Sequence, residues 1–305
     1  MIQGASGRDV TRPALTGPAL AVASGLLFGV VVIAGKPALA GGLPFTLLAW
    51  RFGLTSGALW SVALIMRLPR RPAPGERLPI LAAGFFGYGV EASLFFAALA
   101  HGSAAAVTLL FYTYPIHTML VAMRTKRLPT GGSLWLALTC AIAGVAVLVA
   151  GAGQIAIDAA GVTLALACSF AYTIYLTTTD RVLRRSGPMS AAIALSGGAA
   201  AFCLVASSVT GTVWVPVTWD QWWPILVMAG STAVAFCCML AAIKRIGAVR
   251  TAIIGVFEPL SVGILGALFL REPLSAGILV GGVLILTASV IATLTRGERV
   301  VEPDV

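Results

Sequence analysis

The stretch PIHTMLVAMRTKRLP at residues 115–129 is matched 144 residues later by PLSVGILGALFLREP at residues 259–273. The two copies align without a gap, and their first and last prolines coincide, as does an arginine two positions before the last proline. Proline fixes φ and removes a backbone donor, so matched prolines imply matched backbone geometry. The alignment extends over residues 17–294, where it also pairs Gly17 with Gly161 and Pro44 with Pro188. The sequence therefore indicates an internal repeat, with two copies of one segment.

Composition places this repeat in lipid. Hydrophobic residues make up 59% of the 305 residues and charged residues only 10%, whereas soluble domains carry about 25% charged residues. A helix needs about 20 apolar residues to cross a membrane. Ten apolar stretches of about that length follow one another, at residues 18–37, 44–66, 78–100, 103–123, 133–151, 161–181, 188–210, 222–243, 248–270 and 275–295.

Five spans per repeat have a topological consequence. An odd number of spans makes the second copy enter the membrane upside down, which is the architecture of alternating-access transporters. We therefore predict an all-α membrane protein with ten transmembrane helices in two inverted five-helix repeats. The expected parts are a tail at 1–17, a first repeat at 18–151, a second repeat at 161–295 and a tail at 296–305.

The distribution of basic residues predicts the orientation. If the N-terminus is cytoplasmic, 17 of the 20 Lys and Arg residues fall in cytoplasmic segments, as the positive-inside rule requires. Only Lys36 and Arg271 remain near the outer surface, with Arg51 inside a helix. Both termini are therefore expected in the cytoplasm.

Several classes of function and partner are disfavoured. The formal charge of +9 is spread over short loops and not over one soluble face, so we expect no nucleic acid partner. No nucleophile elbow, zinc motif or phosphate loop is present, so we expect neither an enzyme nor a cofactor or metal. The expected partners are a small-molecule substrate, membrane lipid and protons. The Gly277 to Gly281 spacing allows either packing within the chain or a weak homodimer, so a monomer and a weak dimer both stay open.

Charged groups inside predicted spans are costly unless they face the interior. Arg51 lies about seven residues into the second span, and Glu91 lies in the third span, which runs the opposite way. The two charges could share a depth, so they are candidates either for a structural ion pair or for substrate binding and gating. Lys36, near the outer end of the first span, either reaches the interface or joins the gate.

Glu258 is the strongest candidate for chemistry. It lies near the middle of the ninth span, immediately before Pro259, and its repeat partner is Tyr114 before Pro115. Helices kinked at matching places in both halves mark a binding site at the membrane midplane. Proton coupling through Glu258 is the functional interpretation, and a protonated Glu258 bonded to its own helix is the structural alternative.

The tyrosines are expected inside the helices and not in the interfacial belt where tyrosine usually collects. We expect the binding cavity to include Tyr88, Tyr112, Tyr114 and Tyr172, because aromatic faces with polar tips suit an amphipathic organic substrate. His117 is expected to bridge helices, and His101 to lie at the interface.

Short motifs, in order and at the repeat spacing, resemble a known family. They are Leu27-Phe28-Gly29 with Lys36, Trp50-Arg51-Phe52, the run from Leu110 to Pro115, and Phe257-Glu258-Pro259 followed by Arg271-Glu272-Pro273. The chain is similar to EamA-type members of the drug/metabolite transporter superfamily. The resemblance implies an inner-membrane exporter of amino acids or related amphipathic compounds, with spans 1–4 and 6–9 around a cavity and spans 5 and 10 bracing it. Leu128 departs from the family pattern, which usually has an acid at that turn.

Three other functions compete with a proton-coupled exporter. A channel or a facilitative uniporter would also place polar groups within helices. A sugar-phosphate carrier would need a cationic pocket, to which only Lys36 and Arg51 could contribute.

Overall fold

The computed structural model describes residues 16–39, 44–124, 132–151, 157–182, 185–255 and 257–297. Leu128 and most of both predicted tails lie outside these ranges. The helices are, in chain order, α1 (Thr16–Ala38), α2 (Phe45–Ile65), α3 (Arg77–Ala82), a π-helical turn (Ala83–Tyr88), α4 (Gly89–Leu99), α5 (Ala104–Phe111), α6 (Tyr114–Arg124), α7 (Gly132–Gly151), α8 (Ala159–Val182), α9 (Pro188–Val209), α10 (Trp219–Ile254), α11 (Phe257–Phe269) and α12 (Ala276–Gly297).

The helices of the two halves start and stop at equivalent positions. Adding 144 to the bounds of α1 gives those of α8 to within one residue, and the start of α7 maps onto the start of α12. The interruption between α5 and α6 likewise maps, to within a residue, onto the one between α10 and α11. The prediction of an all-α membrane fold built from two five-helix repeats is confirmed.

Six helical segments within the described ranges are long and apolar enough to cross a membrane. They are α1, α2, the run from α3 to α4, and parts or all of α8, α9 and α10. Shorter apolar helices lie in α7, α11 and α12. In the two interrupted helices, Pro115 and Pro259 lie in the first turn after each interruption. Proline fits the first turn of a helix because no donor is needed there.

The predicted boundary between the eighth and ninth spans is different in the structure. The chain stays helical through residues 244–247, where the sequence indicated a short charged loop between the spans at 222–243 and 248–270, because Lys and Arg are good helix formers and no proline intervenes. Close contacts with α1 give the chain direction: Gly17 with Ile246, Gly35 with Met228, Gly25 with Glu258, and Gly29 with Ser261. The first part of α10 is therefore antiparallel to α1 and α11 is parallel to it, so the chain reverses direction between Ile246 and Glu258.

Glycines allow the tightest helix contacts. Gly281 of α12 lies against Gly144 and Leu148 of α7, so this glycine packs within the chain. Gly84 of the π-helical turn lies against the Leu195 backbone of α9. A side chain at either glycine would meet main-chain atoms that cannot move aside, which fixes these helix pairs at short range.

Candidate functional site

A cavity of about 90 Å³ lies between the two repeats. Its wall combines one cation, two carboxyl groups and a majority of aromatic and aliphatic side chains. The lining residues are Phe28, Val31, Val32, Arg51, Tyr88, Glu91, Ala92, Phe95, Phe96, Phe111, Tyr172, Tyr175, Phe236, Met239 and Glu258. A largely apolar pocket with a few converging polar groups is the usual form of a small-molecule site.

Arg51 is buried by its neighbours, with only 3% of its surface exposed. Its Nε donates a hydrogen bond to Thr232 Oγ1 of α10 at 3.0 Å. The guanidinium carbon also lies 4.6 Å from the ring centre of Phe52 and 5.5 Å from that of Phe96. Aromatic faces attract cations, so these contacts compensate the lost hydration and hold Arg51 at the cavity wall.

The structure does not support a direct Arg51–Glu91 ion pair. Within the described residues, no carboxylate lies within 4.0 Å of the guanidinium. Glu91 instead accepts a weak bond from the Cys168 thiol at 3.7 Å. Equal depth in the membrane does not ensure contact, because each helix also has a rotational setting that directs its side chains.

Glu258 lies in the first turn of α11, just after the interruption that follows α10. Its backbone N–H donates to Gly255 O at 2.9 Å. The Tyr112 hydroxyl lies 3.2 Å from Glu258 Oε2 and donates to Gly255 O at 2.5 Å. A carboxylate in the first turn of a helix is favoured by the unpaired amides there, so this position can hold either protonation state.

The predicted tyrosines divide into two groups. Tyr88 and Tyr172 line the cavity. Tyr112 and Tyr114 are not among the lining residues and pack behind the wall, with ring centres 5.8 Å and 5.4 Å from that of Phe111, so their part in substrate binding stays a prediction. Sequence reasoning left out Tyr175, which lines the cavity. Its spacing of three residues from Tyr172 places both on one helix face, and that signal could have identified it.

The interruption between α5 and α6 is held by hydroxyl groups from α8. The Thr173 hydroxyl donates to Tyr114 O at 3.1 Å, which satisfies a carbonyl near the break. The Ser169 hydroxyl lies 2.9 Å from both Thr113 Oγ1 and His117 Nδ1. His117 thus bridges two helices and is not among the cavity-lining residues.

Lys36 forms an ion pair with Glu272, the acid of the Arg271-Glu272-Pro273 turn. Lys36 Nζ also donates to Gly102 O at 2.5 Å, and Glu272 Oε2 accepts from the Ala104 amide at 2.8 Å. The pair therefore joins the end of α1, the start of α5 and the turn after α11. It connects the two repeats on the side of the bundle where α1 ends.

A second charged contact lies at the same end of the bundle. His101 Nδ1 lies 3.0 Å from Asp158 Oδ2, and both side chains are exposed. The Gly161 amide donates to Asp158 Oδ1 at 2.8 Å. This amide and then His101 lower the pKa of Asp158, which caps α8.

In the part of the chain that the structure describes, no three His, Cys, Asp or Glu side chains are grouped so as to hold a metal ion.

Comparison with known proteins agrees with the repeat. The sequence profile of the EamA-like transporter family matches the chain twice, at residues 15–150 and 159–294. The chain belongs to the EamA-like transporter family. The two matches are separated by the same 144 residues that the sequence shows. Among curated proteins, no sequence matches this EamA-like chain.

Solved structures support the fold of this EamA-like protein. A crystal structure described only as "Crystal structure of protein" has a TM-score of 0.67 and 18% sequence identity. The similarity covers 94% of this chain and 99% of the other. Family membership and the apolar helices make the protein a multi-pass membrane transporter of small solutes, and a transporter rather than an enzyme.

Proposed function

We propose that this EamA-like protein is a secondary active exporter of small amphipathic metabolites, such as amino acids or related compounds. It works by alternating access in the inner membrane, with both termini in the cytoplasm. The observation that carries the proposal is the cavity wall, which combines Arg51 with Glu91, Glu258 and several aromatic rings. In addition, each repeat contributes an interrupted helix to the wall of this cavity.

The charges of the wall fit a substrate with an amine. A substrate ammonium group can bind to Glu91 or Glu258 and lie against the rings of Tyr172 and Tyr175. A substrate carboxylate can bind to the N–H groups of Arg51 that Thr232 does not use, since a guanidinium has five donors. The apolar remainder of the wall, including five phenylalanines, suits a hydrophobic side chain.

Coupling to protons follows from the position of Glu258. Its carboxyl group reaches the cavity and lies in the first turn after a helix interruption. An ionised carboxyl group in a poorly hydrated site is costly unless it is paired with a cation or protonated. A substrate ammonium group and a proton would therefore compete for Glu258, which is the exchange that an antiporter needs.

Reconstitution in proteoliposomes tests both parts of the proposal. Unlabelled substrate inside the vesicle should drive uptake of labelled substrate, because alternating access exchanges bound molecules, whereas a channel gives no such counterflow. A Glu258→Gln variant should retain counterflow at saturating substrate, because Glu91 can still bind the ammonium group, and lose accumulation driven by an imposed pH step. Glu91→Gln is the matched control, since it removes the other cavity carboxylate.

Two outcomes would contradict the proposal. Gradient-driven accumulation by Glu258→Gln equal to wild type would remove Glu258 from coupling. Flux without counterflow would indicate a channel.

A further inference from the structure

The two interrupted helices are tied together by one hydroxyl group. Tyr112 lies in the interruption between α5 and α6, and its hydroxyl reaches Gly255 O in the interruption between α10 and α11. The same hydroxyl lies 3.2 Å from the Glu258 carboxyl group. A single phenol therefore contacts the main chain of one break and the acid that follows it.

This phenol cannot donate a full hydrogen bond to both acceptors at once. A tyrosine hydroxyl has one hydrogen, and here it faces two oxygens, Gly255 O at 2.5 Å and Glu258 Oε2 at 3.2 Å. When Glu258 is protonated, its own O–H can donate to the phenol oxygen while the phenol donates to Gly255. When Glu258 is ionised, its carboxylate is the stronger acceptor and competes for the phenol hydrogen.

Hydrogen bonds hold the main chain of Tyr112 in place, whereas its hydroxyl can change its acceptor. The Tyr112 carbonyl accepts a hydrogen bond from the Ser289 hydroxyl of α12, and the Tyr112 amide donates to Thr108 O at 3.1 Å. Tyr112 is only 4% exposed. The backbone of Tyr112 is thus fixed at both its amide and its carbonyl, so a change of acceptor alters the contact with α11 and not the position of Tyr112.

We infer that Tyr112 is a positioning residue that transmits the protonation state of Glu258 to the junction of the two interrupted helices. With Glu258 protonated, the chain from Glu258 through Tyr112 to Gly255 closes the junction. With Glu258 ionised, Gly255 O loses the phenol and the junction loosens. The inference rests on the proposed role of Glu258 in coupling.

Other ionisable groups face Glu258 from the elements packed around it. They are Arg51 of α2, Tyr88 of the π-helical turn, Glu91 of α4, Tyr114 of α6, and Cys168 and Tyr172 of α8. From α1, Gly25 lies against the Glu258 backbone. Of the neighbouring phenols, only Tyr112 contacts both Glu258 and Gly255, so the variants below isolate its hydroxyl.

The pH profile of counterflow tests the inference, because a merely structural hydroxyl would change the amplitude and leave the midpoint in place. Tyr112→Phe keeps the ring and removes the donor to the carboxylate. We expect its midpoint to move to higher pH by on the order of one unit, because the ionised carboxylate loses a charge-assisted hydrogen bond. Tyr114→Phe, which removes a neighbouring phenol, should keep the wild-type midpoint. In a Glu258→Gln background, Tyr112→Phe should produce no further change.

A second variant at position 112 provides the same test if Tyr112→Phe folds poorly. Site-specific 3-fluorotyrosine at position 112 preserves the shape and makes the phenol a stronger donor, so the midpoint should move to lower pH. The two failures are distinguishable: a wild-type pH profile in Glu258→Gln would overturn the proposed coupling. Loss of pH dependence in Glu258→Gln, together with an unmoved midpoint in both position-112 variants, would overturn the role of Tyr112 alone.

Discussion

Removing the cation of the Lys36–Glu272 pair should destabilise the junction between the two repeats. The pair is largely shielded from water, with side chains 24% and 12% exposed. In Lys36→Met, the Gly102 carbonyl loses its ammonium donor and Glu272 keeps only the Ala104 amide. A hydrogen bond to a charged group contributes about 1.5–3 kcal/mol. Because the site is partly exposed, we expect the lower part of that range, about 2 kcal/mol of unfolding free energy.

A double-mutant cycle isolates the pair. Lys36→Met and Glu272→Gln should each lower the apparent melting temperature in detergent by several degrees. The double variant should lose about as much as one single variant, because the second change removes a group that is already unpaired. His101→Gln is the control at the same end of the bundle, where the exposed pair with Asp158 should make no measurable contribution.

Additive losses in the cycle, or no loss in Lys36→Met, would refute the reasoning. Either result would mean that Glu272 is held by the Ala104 amide alone and that the ion pair is incidental.

Three further predictions concern a buried hydrogen bond, the cap of α8 and the orientation of the chain in the membrane. Thr232→Val should destabilise the protein by about 1–3 kcal/mol, measured by thermal unfolding, because it leaves the buried Arg51 Nε without an acceptor; Thr55→Val, in the same helix pair, removes a donor to a main-chain carbonyl and should cost less. Asp158→Asn should lower the melting temperature at pH 7, and the difference from wild type should shrink as the pH falls below the usual carboxyl value, because a carboxyl group with a lowered pKa stabilises the fold above its usual value and loses that effect as the pH falls through the folded value. A reporter fused after Val305 should be active only in its cytoplasmic form, and activity of a periplasmic reporter would contradict the proposed orientation.

The sequence was sufficient for the architecture and for part of the site. Matched prolines and glycines set helix ends, and those ends depend on local backbone geometry, so the repeat could locate the interruptions before Pro115 and Pro259. Contacts between residues far apart in the sequence could not be predicted in this way. Lys36 and Glu272 are 236 positions apart, and nothing local in either segment indicates that they meet.

The partner of Arg51 could not be predicted from the sequence either. Its depth could be estimated from its distance to the helix end, but its partner depends on the rotation of α2 about its axis. That rotation directs the guanidinium toward Thr232 and the Phe52 and Phe96 rings, and not into contact with Glu91. Helix rotation is set by the packing of all neighbouring helices, so a single-span argument cannot supply it.

The π-helical turn at Ala83–Tyr88 has no equivalent in the second repeat, where the matching residues 227–232 belong to the α-helix α10. Its wider ring, closed by the Gly89 amide on Gly84 O, changes the angular phase of the residues that follow, including Glu91. A transporter made of two identical inverted halves would have inward-facing and outward-facing states of equal energy. Under the proposed alternating access, this local asymmetry gives the inward-facing and outward-facing states different energies.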